Sequence, residues 1–209
     1  MILKTYTVGP IKTQMYLVID QNSKEAMVID PGGGAEKIID DLAREKARLL
    51  YILNTHAHPD HISHNAILKD MTGAKILIGE NDARGLSFDY SAFEKKYNWQ
   101  ILPGKVDQLL KDGNQIKLGK LVFKVIQTSG HSPGGICLYN EEEKFLFSGD
   151  TLFYQAIGRT DLPFSDPEKM DESLEKLFKL PPETKVYPGH GQVTTIGQEL
   201  AYYRQNAFF

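Results

Sequence analysis

Cysteine is nearly absent from this 209-residue chain: Cys137 stands alone, so no internal disulfide framework can form and a reducing compartment is expected. No apolar run is long enough to cross a bilayer, and the opening Met1-Ile2-Leu3-Lys4-Thr5-Tyr6 lacks the apolar core of a signal peptide. A cytoplasmic location without a membrane partner is therefore expected. Neither sign of charge dominates: the net charge of −3 and pI near 6.1 give no electrostatic case for a nucleic-acid partner. Low-complexity segments and a convincing linker are also missing, so residues 1–209 are expected to form one domain, with enough chain to bury an ordinary core. Its expected state is a monomer or small homo-oligomer.

Short β-branched and aromatic runs are present at 2–8, 15–19 and 26–29, with Gln21-Asn22-Ser23-Lys24 as a hairpin turn. A helix follows over 35–46, where Ile38, Ile39, Leu42 and Ala43 keep helical spacing. The pattern then predicts a strand at 49–53, a helix at 62–71, a strand at 75–78 and a short helix at 80–86. Residues 87–105 crowd Phe88, Tyr90, Phe93, Tyr97 and Trp99 into a polar stretch with no clear period. That stretch reads as a packed surface loop with some helix, or as a flap whose aromatics line a substrate entrance. Strands at 116–118, 121–126, 136–139, 145–147 and 185–187 and helices at 167–180 and 196–206 complete the chain. Asp166 suits the N-cap of the first of these helices. Cys137 falls inside a strand and reads as a packed, inert thiol. Each half runs from sheet to helix, which predicts an α+β fold: two packed mixed sheets flanked by helices.

Histidine is the residue with a conspicuous distribution. Four of the six fall within Asn54-Thr55-His56-Ala57-His58-Pro59-Asp60-His61-Ile62-Ser63-His64-Asn65, directly after the apolar run Leu49-Leu50-Tyr51-Ile52-Leu53. His56 and His58 are two apart in extended chain, so both rings leave on one side of the strand end. Pro59 keeps His58 extended and suits the first turn of a helix. Asp60 and His61 then sit at that helix start and can point elsewhere, giving two divergent ligand pairs. His131, Asp150 and His190 each lie in Gly- or Pro-flanked turns after later strands. Imidazole and carboxylate donors without thiolate suit zinc, and also iron or manganese. Asp150 has two oxygens with which to bridge two cations, and a binuclear site lowers the pKa of its water to about 7.

The series His56-x-His58-x-Asp60-His61, His131, Asp150, His190, together with Val28-Ile29-Asp30-Pro31-Gly32, resembles the metallo-β-lactamase-fold hydrolases over nearly the whole chain. The resemblance implies an αββα sandwich with two divalent metal ions at one edge of the sheets, most simply zinc. It implies that His56, His58 and His131 hold one metal, that Asp60, His61 and His190 hold the other, and that Asp150 bridges them. Asp60 and Asp150 are then candidate catalytic groups as well as ligands. Gly149-Asp150-Thr151-Leu152-Phe153 and Ile157-Gly158-Arg159-Thr160-Asp161-Leu162-Pro163 look most like glyoxalase II and its short single-domain relatives. That likeness implies a small acyl thioester as substrate, cleaved by a metal-bridging hydroxide. The helical C-terminal region that binds glutathione in the full-length enzyme is not expected here. Ser63-His64 departs from the family's Gly-Gly, and His64 is expected on the surface or behind the ligands. Arg159 and Asp161 read either as a buried pair supporting the site loop or as a contact for an anionic substrate. An iron-dependent persulfide dioxygenase using His56, His131 and Asp150 is the rival reading. A lactonase or phosphodiesterase on the same site is also open.

Overall fold

In β2 (Thr13–Ile19) Met15, Leu17 and Ile19 belong to one buried cluster while Tyr16 and Val18 belong to another. A strand that is apolar on both faces must be covered on both. The computed structural model, which describes residues 1–206, does this with four layers in the order helix, sheet, sheet, helix. The first sheet has six strands in the order β1 (Ile2–Val8), β2, β3 (Glu25–Ile29), β4 (Arg48–Asn54), β5 (Lys75–Gly79), β6 (Gln108–Leu110). It is antiparallel through β3 and parallel from there on. The second sheet runs β14 (Thr194–Thr195), β13 (Lys185–Pro188), β10 (Phe145–Gly149), β9 (Ile136–Asn140), β8 (Leu121–Gln127), β7 (Gln115–Leu118), with β10 and β13 parallel. A small hairpin, β11 (Leu152–Phe153) and β12 (Ala156–Ile157), follows Asp150.

Tyr16, Met27, Leu53, Phe123 and Phe147 fill the space between the sheets. Helices α1 (Ala35–Glu45) and α3 (Asn65–Thr72) cover the outer face of the first sheet through Ile38, Leu42 and Leu68. Helices α5 (Pro167–Leu177) and α6 (Ile196–Gln205) cover the second through Met170, Leu174 and Tyr203, with Cys137 packed among them. Among the described residues no helix is long and apolar enough to cross a membrane.

The helix predicted over 62–71 is broken. One turn, α2 (Pro59–Ile62), stops at Ser63-His64 before α3 begins. The backbone there is taken by neighbours: His64 N–H donates to Pro31 O and Leu102 N–H donates to Ser63 O, each at 2.9 Å. Asp166 caps α5 as expected, its carboxylate accepting from the N–H groups of Glu168 and Lys169. That helix ends at Leu177 rather than 180, because the chain tightens ahead of Pro181-Pro182, neither of which can continue a helix. Residues 87–105 contain one helix, α4 (Ser91–Tyr97), and their aromatics divide. Tyr90, Phe93 and Trp99 pack on the first outer layer, while Phe88 is 53% exposed beside Phe164.

The turns between strands tie the sheets together. Buried Asp20 accepts from Asn22 N–H at 2.7 Å, Ser23 N–H at 3.1 Å and, across to the β7–β8 turn, Lys120 N–H at 2.8 Å. The Lys120 bond, with those from Ser23 and Asn22, holds the carboxyl below its ordinary range despite burial. A depressed folded pKa means stability present above the unfolded value, about 3.9, and lost as pH falls through the folded one. Asp20→Asn is thus expected to cost about 1–2 kcal/mol at pH 7. In urea melts the gap from wild type should narrow as the pH drops through 4 and below.

Candidate metal centre

β4 ends at Asn54, and Thr55-His56-Ala57-His58 leads straight into α2 with Pro59 in its first turn. His58 is extended, at φ −69° and ψ 146°, as the following proline requires. At the same edge β8 runs out before His131, β10 ends at Gly149 just ahead of Asp150, and β13 ends at Pro188 just ahead of His190. Gly149 has φ +48°, and a Cβ there would lie 2.4 Å from Thr55 Oγ1, so the sharp turn into Asp150 requires glycine. Two contacts close the sheets on each other here: Gln14 N–H donates to Gly189 O at 2.7 Å, and Tyr16 hydroxyl donates to Pro188 O at 2.6 Å.

The ligating atoms of His56, His58 and His131 lie within 4.8 Å of one another, as do those of Asp60, His61 and His190. His131 Nε2 and His58 Nδ1 are 2.8 Å apart. Asp60 Oδ2 is 3.2 Å from His61 Nε2 and 3.3 Å from His190 Nε2. Asp150 lies between the trios. Its Oδ2 is 3.5 Å from His131 Nε2 and 3.6 Å from His190 Nε2, and its Oδ1 is 3.5 Å from His61 Nε2. All seven residues singled out in the sequence therefore converge.

Four of the donors are aimed by neighbours. His131 Nδ1 donates to the Arg159 carbonyl at 2.9 Å, which leaves the lone pair on Nε2, the nitrogen that faces Asp150 and His58. Thr13 hydroxyl donates to Asp60 Oδ2 at 2.6 Å. Asp30 accepts from Thr55 N–H at 2.7 Å and Thr55 hydroxyl at 2.6 Å, and its Oδ2 lies 3.0 Å from His61 Nδ1. Having given its proton to Asp30, Thr55 Oγ1 accepts from His56 Nδ1 at 3.1 Å. One buried carboxylate thus sets the tautomer of His56 through Thr55 and lies against the ring of His61. His56 and Asp30 also fall within 4.8 Å of His61, but Asp30 is already engaged and serves to orient rather than to ligate. None of these partners was legible as such in the sequence. Asp30 entered there only as part of Val28–Gly32 and Thr55 only as part of Asn54–Asn65, and Thr13 not at all.

Burial pushes His56 well below the usual imidazole range and His58 down to about 3, with the neighbouring imidazoles adding to the effect. Burial also opposes charge on His61, but Asp60, Asp150 and Asp30 overcome it and raise that imidazole well above its usual value. His190 is raised in the same way, by Asp60 and Asp150 against burial. For Asp60, burial is outweighed by His61, His190 and Thr13, and the carboxyl falls well below its ordinary value. Burial prevails at Asp150 and lifts it.

His56 Nε2, both ring nitrogens of His61 and Asp150 Oδ1 are buried with no hydrogen-bond partner among the described residues. Orphaned atoms on three residues at one point are costly unless a cation satisfies them. Nitrogen and oxygen donors, with Cys137 buried at 0% exposure in β9, suit zinc, iron or manganese. The residues present thus fit metal ions.

A family model described as the metallo-beta-lactamase superfamily matches residues 8–190. The chain belongs to that superfamily. Among its members, the chain is 36% identical over 198 residues to the Haemophilus influenzae hydroxyacylglutathione hydrolase GloC, covering 91% of this chain and 90% of that one. The fold superposes on the BLEG-1 B3 metallo-beta-lactamase with a TM-score of 0.87 at 38% identity, covering 96% and 97% of the two chains. It superposes on TTHA1623 in a di-iron-bound form with a TM-score of 0.83 at 35% identity, covering 94% and 96%. Superfamily membership, the metallo-β-lactamase fold and the His/Asp clusters make the chain a metal-dependent hydrolase.

Two sequence expectations need adjusting or placing. Arg159 and Asp161 do pair, with Nε–Oδ1 at 2.8 Å and Nη2–Oδ2 at 2.9 Å, but their side chains are 67% and 69% exposed, so the pair is not buried. Exposed pairs contribute little, and what Arg159 gives the centre is its carbonyl. His64 belongs to neither trio: its Nδ1 accepts from Ala35 N–H at 3.3 Å, at the start of α1, and its ring stacks on Trp99 at 5.7 Å.

Asp30→Asn tests the orienting role without disturbing the backbone, since residue 30 has φ +52° and asparagine tolerates that region. The amide must present a donor to Thr55 or to His61. Metal affinity is expected to fall roughly 10–100-fold with the fold intact, as read by metal titration beside circular dichroism.

Proposed function

We propose that the chain is a thioester hydrolase of glyoxalase II type, acting on small hydroxyacyl thioesters. In this reading His56, His58 and His131 hold one metal, Asp60, His61 and His190 hold another, and Asp150 is shared. The observation that carries it is the position of Asp150, within 3.6 Å of a histidine nitrogen from each trio. The choice of thioester rests on the likeness to GloC over 90% of that hydrolase. Divalent metals in such a site supply Lewis acidity and a water that ionises near neutral pH, so no serine or cysteine nucleophile is needed.

The chain's own residues do the rest. Arg159 O and Thr55 Oγ1 keep the lone pairs of His131 and His56 turned inward. Asp60, fixed by Thr13, and Asp150 face one small space, where either carboxylate can take the proton of an attacking water. His190, with its side chain 28% exposed and Phe153 against it at 6.2 Å, stands on the open side by which a carbonyl arrives. Burial of His56, Asp60, His61 and His131 keeps bulk water away from those donors.

The test is steady-state hydrolysis of lactoyl-glutathione by metal-loaded protein against a His58→Ala control. Turnover no higher than the control sinks the reading. A β-lactam arm belongs in the same assay because of the likeness to BLEG-1. Oxygen uptake on glutathione persulfide belongs there because iron fits the donors and occupies a similar structure.

A further inference from the structure

Asp82 belongs to neither trio, yet its carboxylate reaches both loops that carry one of them. It lies in the tight helical turn after β5 and is 4% exposed. Oδ2 accepts from Ala57 N–H at 3.1 Å and from the Ser132 hydroxyl at 2.7 Å, and Oδ1 accepts from Gly134 N–H at 2.6 Å. Ala57 stands between His56 and His58, and Ser132 directly follows His131. A single side chain therefore spans from the loop holding two members of the trio to the loop holding the third. The other trio is braced by different groups, Thr13 on Asp60 and Asp30 beside His61.

We propose that Asp82 is a positioning residue that sets the separation of His56 and His58 from His131, and so governs metal affinity at that trio independently of Asp60, His61 and His190. This rests on the ligand division given above. The geometry needs a carboxylate, because three donors converge on two oxygens and only an acceptor-only group can serve all three. An asparagine offers one oxygen and one NH2, so either the Gly134 or the Ala57 N–H meets a donor instead of an acceptor. One loop is then released, and the 2.8 Å approach of His131 Nε2 to His58 Nδ1 is no longer enforced.

The test is native mass spectrometry of the full chain titrated with zinc. It compares wild type, Asp82→Asn, Ser132→Ala, His190→Ala and the Asp82→Asn/His190→Ala double variant. Asp82→Asn is expected to weaken one zinc by roughly 10–100-fold, and Ser132→Ala, which removes one of three bonds, to weaken it less. His190→Ala should keep at full affinity the zinc that Asp82→Asn weakens, so the double variant should bind neither zinc with wild-type affinity. Zinc-free circular dichroism melts check that Asp82→Asn folds; where it does not, Ser132→Ala decides by the same comparison with His190→Ala. Unchanged zinc affinity overturns the proposal. Equal weakening of every zinc bound also overturns it, since a generally loosened fold gives that result. A wild-type chain that takes no zinc, iron or manganese sinks the metal reading itself, an outcome separable from the others.

Discussion

Asp150→Asn is expected to lower turnover by a factor on the order of 10³ and to strip metal from the centre. Shape is preserved, so the loss is chemical. Asp150 Oδ1 faces His61 while Oδ2 faces His131 and His190, and only a carboxylate presents two acceptor oxygens in those two directions. The amide would put an N–H donor either toward His61 or toward His131 and His190, so the group between the trios loses one of its two acceptors. Removing the charge also takes from His61 one of the three carboxylates, and from His190 one of the two, that raise their proton affinity. Elemental analysis and hydrolysis rates should fall together, while the circular dichroism spectrum keeps its shape. Asp161→Asn is the matched control: its carboxylate is 69% exposed and paired with Arg159 outside the cluster, so it should leave both readouts unchanged. Full metal content with full activity in Asp150→Asn would remove Asp150 from the centre.

The donors were legible in the sequence because each sits where an apolar run ends, and a strand that ends at a sheet edge delivers its next residues to that edge. The layers were legible because each half of the chain runs from strands to helices, and β2, with Met15, Leu17 and Ile19 on one side and Tyr16 and Val18 on the other, is covered on both faces accordingly. What orients the donors was not legible. Asp30 and Thr55 are 25 residues apart, Thr13 and Asp60 are 47 apart, and Asp82 and Ser132 are 50 apart, so no local spacing joins them. The break at Ser63-His64 escaped notice because its cause is tertiary, hydrogen bonds to Pro31 and Leu102, while the local pattern favours helix. The Arg159–Asp161 pair shows the limit from the other side. Two residues apart in a loop, they predict contact correctly and say nothing about burial. β11, β12 and β14 are each two residues long, too short for any alternation to register.

A methyl group behind the site is expected to do nearly as much damage as a lost ligand. A Cβ added at Gly32 would lie 1.6 Å from Asp60 O and 2.8 Å from Asp60 C, far inside any tolerable contact, and the atoms it meets are backbone. The turn cannot retreat. Gly32 N–H donates to Asp30 O at 2.7 Å, Pro31 O accepts from His64 N–H, and Asp30 is tied to Thr55. Gly32→Ala must therefore push α2 outward, carrying Asp60 and His61 away from His190 and pulling His61 Nδ1 off Asp30. Overpacking of this kind costs about 3 kcal/mol or more. In a chain of this length that corresponds to a fall in Tm of roughly 6–12 °C. The variant should also lose metal at Asp60, His61 and His190 before it loses metal at the other trio. Gly73→Ala separates packing from backbone preference: it has φ +72° with nothing within 4 Å of the added Cβ, so only conformational strain of about 1 kcal/mol is expected. Equal Tm values for Gly32→Ala and Gly73→Ala would mean that α2 yields freely, and the centre would then owe its geometry to the ligands rather than to the turn that backs them.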